Sequence, residues 1–142
     1  MLCQQEIIVD GYNAMGYLGL LEKVQRKEIG LDLARLTLLK CLSVLQKTSG
    51  KRIIVVFDGF FSSYGKKRRG RHHKIKFIFT KSPETADNFI KRQAISDRDL
   101  IITDDNELRR CLERNGIYVF PCRLLELFIF NPAGDKSGQV AD

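Results

Sequence analysis

Three separate hydrophobic runs in the chain each end on an aspartate: Glu6-Ile7-Ile8-Val9-Asp10, Ile53-Ile54-Val55-Val56-Phe57-Asp58 and Leu100-Ile101-Ile102-Thr103-Asp104-Asp105. Short apolar runs rich in β-branched residues read as strands buried on both faces, which is the habit of a parallel sheet. Parallel strands point their C-terminal ends at one edge, so the aspartates are expected to meet there. In open α/β sheets that edge is where ligands bind, and an acidic, metal-binding site is the first expectation.

The rest of the chain supplies the helices such a sheet needs. A loop and short helix are expected over about 12–21. Residues 31–46 read as a helix with Leu31, Ala34, Leu38, Leu42 and Leu45 on one face. A third strand is expected over Lys74–Thr80, with Ile75, Phe77 and Phe79 on one side. Ser82-Pro83-Glu84-Thr85 has the composition of a helix start, with that helix running to about Ile95. A helix over Asn106–Asn115 ended by Gly116, a fifth strand at Ile117–Phe120 and a short helix from Arg123 to Phe130 complete the alternation. The expected fold is a doubly wound α/β domain over residues 1–130, with about five mostly parallel strands and a loose polar tail over 131–142.

A length of 142 residues suits one domain, and no apolar run approaches the ~20 residues of a membrane span. A first strand starting near the N-terminus leaves no room for a secretory signal, so a cytoplasmic protein without membrane contact is expected. Cys3, Cys41, Cys111 and Cys122 form no CxxC pair and read as reduced thiols. His72 and His73 lack the spaced partners of a zinc site and suit phosphate or solvent contact.

Net charge is +7, and the excess is concentrated: Lys66 to Lys76 carries seven formal positive charges in eleven residues and no acid. Following the strand that ends at Asp58, this run reads as a loop over the acidic edge. A cationic flap beside carboxylates suits a polyanion held by its backbone, and nucleic acid is the economical partner. Two phosphate-binding signatures fail on spacing. Gly11, Gly16 and Gly19 do not make a dinucleotide fingerprint, and the stretch from Gly59 to Lys66 has one residue too many for a phosphate loop.

Carboxylate chemistry remains. Glu84 and Asp87, three apart, are expected on one face near a helix N-terminus. Two like charges about 4 Å apart repel by roughly 4 kcal/mol at an effective dielectric of 20, so gathered acids stay partly protonated or bind cations. Magnesium prefers oxygen ligands and is shared between a few carboxylates and a substrate phosphate, which points to phosphodiester hydrolysis.

Four segments in order, Ile7-Ile8-Val9-Asp10-Gly11-Tyr12-Asn13-Ala14-Met15, Val55-Val56-Phe57-Asp58-Gly59, Glu84-Thr85-Ala86-Asp87-Asn88-Phe89-Ile90 and Ile101-Ile102-Thr103-Asp104-Asp105-Asn106-Glu107-Leu108, resemble the motifs of the NYN domain family, in its YacP-like branch. The resemblance spans Glu6 to about Leu127. It implies a PIN-like three-layer α/β/α fold and a Mg2+- or Mn2+-dependent endoribonuclease. Carried onto this chain, it implies Asp10, Asp87 and Asp105 as metal ligands, completed by Asp58 and Glu84, with Asn13 orienting them. Asp104 stands where the family has a small residue, so either of the adjacent aspartates can face the metal, with Asp105 favoured. Glu107 falls where relatives carry another acid or, equally, in an exposed first helical turn.

Lys66, Lys67, Arg68, Arg69 and Arg71 are the expected RNA phosphate contacts, with Tyr64 or Phe61 to stack an unpaired base. Single-stranded RNA is the expected partner and the ribosome a further candidate; a monomer or weak dimer is expected. The alternative reading is a non-catalytic RNA-binding adaptor that keeps the fold.

Overall fold

The computed structural model describes residues 5–59, 69–81, 83–95 and 98–129. The expected strands form where the apolar runs lie: β1 Glu6–Asp10, β2 Arg52–Phe57, β4 Ile75–Phe79, β5 Asp99–Ile102 and β6 Tyr118–Phe120. One strand more than expected is present, β3 Arg69–His72, so the sheet has six strands in the order β3-β4-β2-β1-β5-β6. β3 lies inside the basic run read as a loop, and it pairs antiparallel with β4 while the other pairings are parallel. Its sequence, Arg-Gly-Arg-His, has no apolar alternation, so only the partner strand could have revealed it.

The helices are α1 Gly11–Tyr17, α2 Leu20–Gln25, α3 Leu31–Ser49, α4 Ala86–Gln93, α5 Asn106–Arg114 and the short α6 Glu126–Ile129, entered through a 3-10 turn at Cys122–Leu125. Alternation along the strands sorts the core into two layers. Ile7, Val9, Ile53, Val55 and Phe57 pack with Ala14, Met15, Leu38 and Leu42 under α1 to α3. Ile8, Val56 and Ile101 face the other way, toward Ile90 of α4 and Leu108 and Leu112 of α5. A sheet covered on both faces is the three-layer α/β/α arrangement.

From β1 the chain winds outward through β2 and β4, then crosses back to β5 on the opposite flank of β1. The crevice between β1 and β5 is therefore the switch point at which ligands lodge in such sheets. Two glycines permit close packing along the same edge, on the β2 side of β1. A Cβ on Gly11 would stand 2.5 Å from the Phe57 ring, and one on Gly59 would lie 1.8 Å from the Thr80 carbonyl oxygen.

Helix α4 starts later than Ser82-Pro83 suggested. Its cap is Thr85, whose hydroxyl accepts from the Asn88 N–H (3.2 Å). Glu84 consequently precedes the helix instead of sharing a face with Asp87. Leu125 is fully buried and Leu124 and Phe128 pack on the α3 side, whereas Leu127 is exposed. Among the described residues Cys41, Cys111 and Cys122 are free thiols, and no helix is long and apolar enough to cross a membrane. Cys3, Ser82 and the expected tail over 131–142 lie outside the described residues.

Candidate active site

At the C-terminal edge, Asp10, Tyr12, Asn13, Asp58, Thr85, Ala86, Asp87 and Asp105 line one open cleft of about 310 Å3. Each acid is delivered by a different element. Asp10 ends β1, Asp58 follows β2, Asp87 stands in the first turn of α4, and Asp105 is the N-cap of α5, its Oδ1 accepting from the Leu108 N–H (3.0 Å). Both helices thus turn their positively polarised N-termini toward the carboxylates, which offsets part of the charge gathered there.

Asp10 is the buried member, 7% exposed. Burial pushes its carboxyl up to about 7, Asp87 and Asp105 push in the same direction, and a hydrogen bond from Thr103 opposes them. That bond, from Thr103 Oγ1 to Asp10 Oδ2, measures 3.0 Å, and the same hydroxyl accepts the Asp105 N–H at 3.1 Å. Asp87 is raised to about 6, by burial first, then by the charge of Asp105 and a hydrogen bond with it. At neutral pH the cleft therefore carries carboxylates that compete for charge, the condition a cation relieves.

The adjacent aspartates separate cleanly. Asp105 faces the cleft, while Asp104 is exposed and its Oδ1 accepts the Cys122 N–H at 2.8 Å. Asn13 Oδ1 accepts the Asp104 N–H (2.6 Å) and the Cys122 thiol (3.3 Å), tying α1 to the β5 turn. Burial, helped by Asp104 and Asp10, pushes that thiol up to about 12, so it remains a neutral donor.

Glu84 is not in the cleft lining. Its two oxygens accept from Arg92 Nε and Nη2 at 3.1 and 3.0 Å. Glu107 is exposed in the first turn of α5 and adds negative field at Asp87. Of the expected RNA contacts, Arg69 pairs with Ile78 near the acidic end of β4, whereas Arg71 pairs with Lys76 toward the opposite end. Lys66, Lys67, Arg68, Tyr64 and Phe61 lie outside the described residues.

Two functional features were missed in the sequence. Thr103 had a usable signal, a hydroxyl residue ending a strand directly before the acids. Arg35 had one too, because it stands four residues after Leu31 and three before Leu38, on the face of the helix that carries the apolar stripe. Its guanidinium is buried, donates from Nε and Nη2 to Tyr12 Oη at 3.1 and 2.8 Å, and lies 5.0 Å from the centre of the Phe79 ring. It fixes the Tyr12 ring in the cleft wall.

Among the described residues no three Asp, Glu, His or Cys side chains form a ready-made metal cage. Magnesium does not need one, because it keeps several waters and binds through one or two carboxylates plus substrate phosphate. An all-oxygen donor set of Asp10, Asp87 and Asp105, two of the three raised by burial first and by neighbouring acids second, fits a hard divalent cation.

The family model for the YacP-like NYN domain matches residues 7–131. The chain is 35% identical over 88 residues to the uncharacterized protein YacP of Bacillus subtilis, an alignment covering 62% of this chain and 50% of that protein; the chain spans about half the length of this curated relative. Its structure superposes on crystal structures of Rae1 (YacP) from Bacillus subtilis. For the W164L mutant the TM-score is 0.69 at 27% identity, covering 87% of this chain and 73% of the other. For a second structure the TM-score is again 0.69, at 26% identity, covering 87% and 75%.

Proposed function

This chain belongs to the YacP-like NYN domain family, a nuclease family, and on that premise we propose that it is a Mg2+- or Mn2+-dependent endoribonuclease acting on single-stranded RNA. The observation that carries the reading is the convergence of Asp10, Asp58, Asp87 and Asp105, from two strand ends and two helix starts, on a single open cleft.

Asp10, Asp87 and Asp105 would hold the cation, with Asp58 across the cleft to orient a water and Asn13 holding the turn that carries Asp105. Bound there, the cation supplies Lewis acidity that neutralises the scissile phosphate and eases ionisation of the attacking water. The protein's own part is positional. Thr103 steadies Asp10, Arg35 pins Tyr12 where its ring can meet a base, and Arg69 stands opposite Ile78 near the acidic end of β4, where it can meet a phosphate. Water must reach the site, and the cleft is open enough to admit both it and a flexible strand.

The test is cleavage of labelled single-stranded RNA with magnesium, with manganese and with a chelator, alongside Asp10→Asn. Metal-dependent cutting that disappears in the variant is the expected result. Binding without cutting by either protein would overturn the nuclease and leave the RNA-binding adaptor. The ribosome as a partner and a cytoplasmic location belong to the same proposal.

A further inference from the structure

The N-terminal edge of the sheet, opposite the acid cleft, carries a second charged surface. Two depressions adjoin there and share Lys74 and Gln46. One, of about 510 Å3, lies between the C-terminal half of α3 and the β3–β4 hairpin and includes Lys40, Lys47, His72 and His73. The other, of about 360 Å3, includes Arg52, Arg71 and Lys76. Register explains how they join. Arg71 pairs with Lys76, and Lys76 with Ile54, so these side chains share one face of the sheet, while the His72–Ile75 pair faces α3. Lys74 sits at the hairpin tip between the two faces.

Little neutralises this surface. Among the residues lining both depressions the one acid is Glu6, and it is taken by Arg52 (3.2 Å) and Arg98 (3.5 Å). Lys40, Lys47, Arg71, Lys74 and Lys76 make no ion pair among the described residues. Slight burial, then His73 and Lys40, hold the His72 imidazole below its ordinary value. The tip is also conformationally costly. His73 has φ 55°, in the left-handed region where glycine would cost less.

We propose that this basic saddle around the β3–β4 hairpin is a second polynucleotide contact, holding the phosphate backbone of an RNA whose reacting segment lies in the acid cleft. The inference rests on the function proposed above. Charge complementarity selects a polyanion, and shape selects a flexible one. The free cations wrap from one face of the sheet around its edge to the other, which a strand can follow and a flat bilayer cannot. Arg71 and Lys76 stand on β3 and β4, whose far ends approach the acidic edge. Arg52 to Asp58 spans the sheet, on the order of 20 Å at strand rise, so several nucleotides would bridge saddle and cleft. Short RNAs should reach one of the two, and longer RNAs both.

The test is equilibrium binding in chelator, so that nothing is cut, of single-stranded RNAs of about 20 and about five nucleotides to the full chain and to a triple Arg71→Ala, Lys74→Ala, Lys76→Ala variant. All three side chains are exposed, and an unchanged melting temperature will verify folding. The longer RNA should lose roughly tenfold or more in affinity, and its log–log salt slope should fall by about 2, at ~0.7 per lost phosphate contact. The preference for the longer RNA should shrink accordingly, and Lys76→Arg alone should retain it. Equal binding of the longer RNA by parent and variant would overturn the saddle. So would loss of binding to anionic lipid vesicles with RNA binding intact, which would make the surface a membrane contact. The nuclease reading fails on a different readout, absence of cutting in magnesium.

Discussion

The Thr103 hydroxyl bridges two acids of the cleft, donating to Asp10 Oδ2 at 3.0 Å while accepting the backbone N–H of Asp105 at 3.1 Å. A residue 2% exposed thereby couples the end of β1 to the cap of α5. Replacing it by the near-isosteric valine keeps the packing and leaves both partners unsatisfied. Thr103→Val should cost about 1–3 kcal/mol in urea unfolding and move the Asp10 carboxyl further up. An unchanged unfolding midpoint would show that the hydroxyl does not hold the two acids together.

Asp10 makes the site a source of instability. Burial holds its carboxyl at about 7, well above the ordinary aspartate value of 3.8, so the folded state binds the proton more tightly. The associated stability is complete below about pH 4 and is lost as pH rises through about 7, with a deficit on the order of 4 kcal/mol above that. Asp10→Asn removes the buried charge and can still accept from Thr103. In chelator the variant should therefore be more stable than the parent at about pH 8 and nearly equal at about pH 4. A pH series of urea midpoints checks this; a variant less stable at the higher pH would contradict the burial argument.

The paired Asp-Gly motifs have a steric reason. At Gly59 a Cβ would lie 1.8 Å from the Thr80 carbonyl oxygen, a backbone atom that cannot step aside, and the Gly59 N–H donates to Thr80 Oγ1 at 2.9 Å. At Gly11 the obstacle is the Phe57 ring at 2.5 Å, with the Val56 carbonyl oxygen at 3.0 Å. Gly59→Ala should force β2 and β4 apart at the edge that carries Asp58, costing about 1–3 kcal/mol or more. Thermal melting of the two alanine variants should show the larger loss at Gly59.

Arg35 predicts a coupling between core and cleft. Its buried guanidinium donates to Tyr12 and to Asp32 Oδ1 (3.0 Å), and the rings of Tyr12, Phe57 and Phe79 surround it. Lysine cannot reproduce a planar fork against three rings. Arg35→Lys should lower stability by about 1–3 kcal/mol and raise the RNA concentration needed for half-maximal cleavage by freeing Tyr12. Melting and cleavage kinetics on the same preparation separate the two effects.

Strand residues were legible where burial on both faces imposes an apolar run, as in β1, β2 and β5, and their terminal acids followed from parallel topology. β3 was not legible, because an edge strand of Arg-Gly-Arg-His takes its conformation from β4. Gly70 shows the dependence, as a Cβ there would stand 2.2 Å from the Phe77 ring. Helix α4 was misplaced at its start because Ser82-Pro83 and Thr85 are both competent starts, and it is the Thr85 hydroxyl that caps the helix by accepting the Asn88 N–H. That shift also separates Glu84 from Asp87. Asp104 and Asp105 are indistinguishable in one dimension, and they diverge because one caps α5 while the other satisfies the Cys122 N–H.

Binding of a divalent cation should itself depend on pH. Asp10 at about 7 and Asp87 at about 6 must release protons before either becomes an anionic ligand, so cation and proton compete for the same oxygens. Below about pH 5.5 magnesium should scarcely change the melting temperature. Above about pH 7.5 it should raise stability by roughly 2.7 kcal/mol when present at a hundred times its dissociation constant. Because Asp10 is one of the three proposed ligands and its buried charge is what a cation would offset first, the gain should vanish in Asp10→Asn at every pH. Differential scanning at the two pH values, with and without chelator, checks the argument; a magnesium effect that persists unchanged in the variant would place the cation elsewhere.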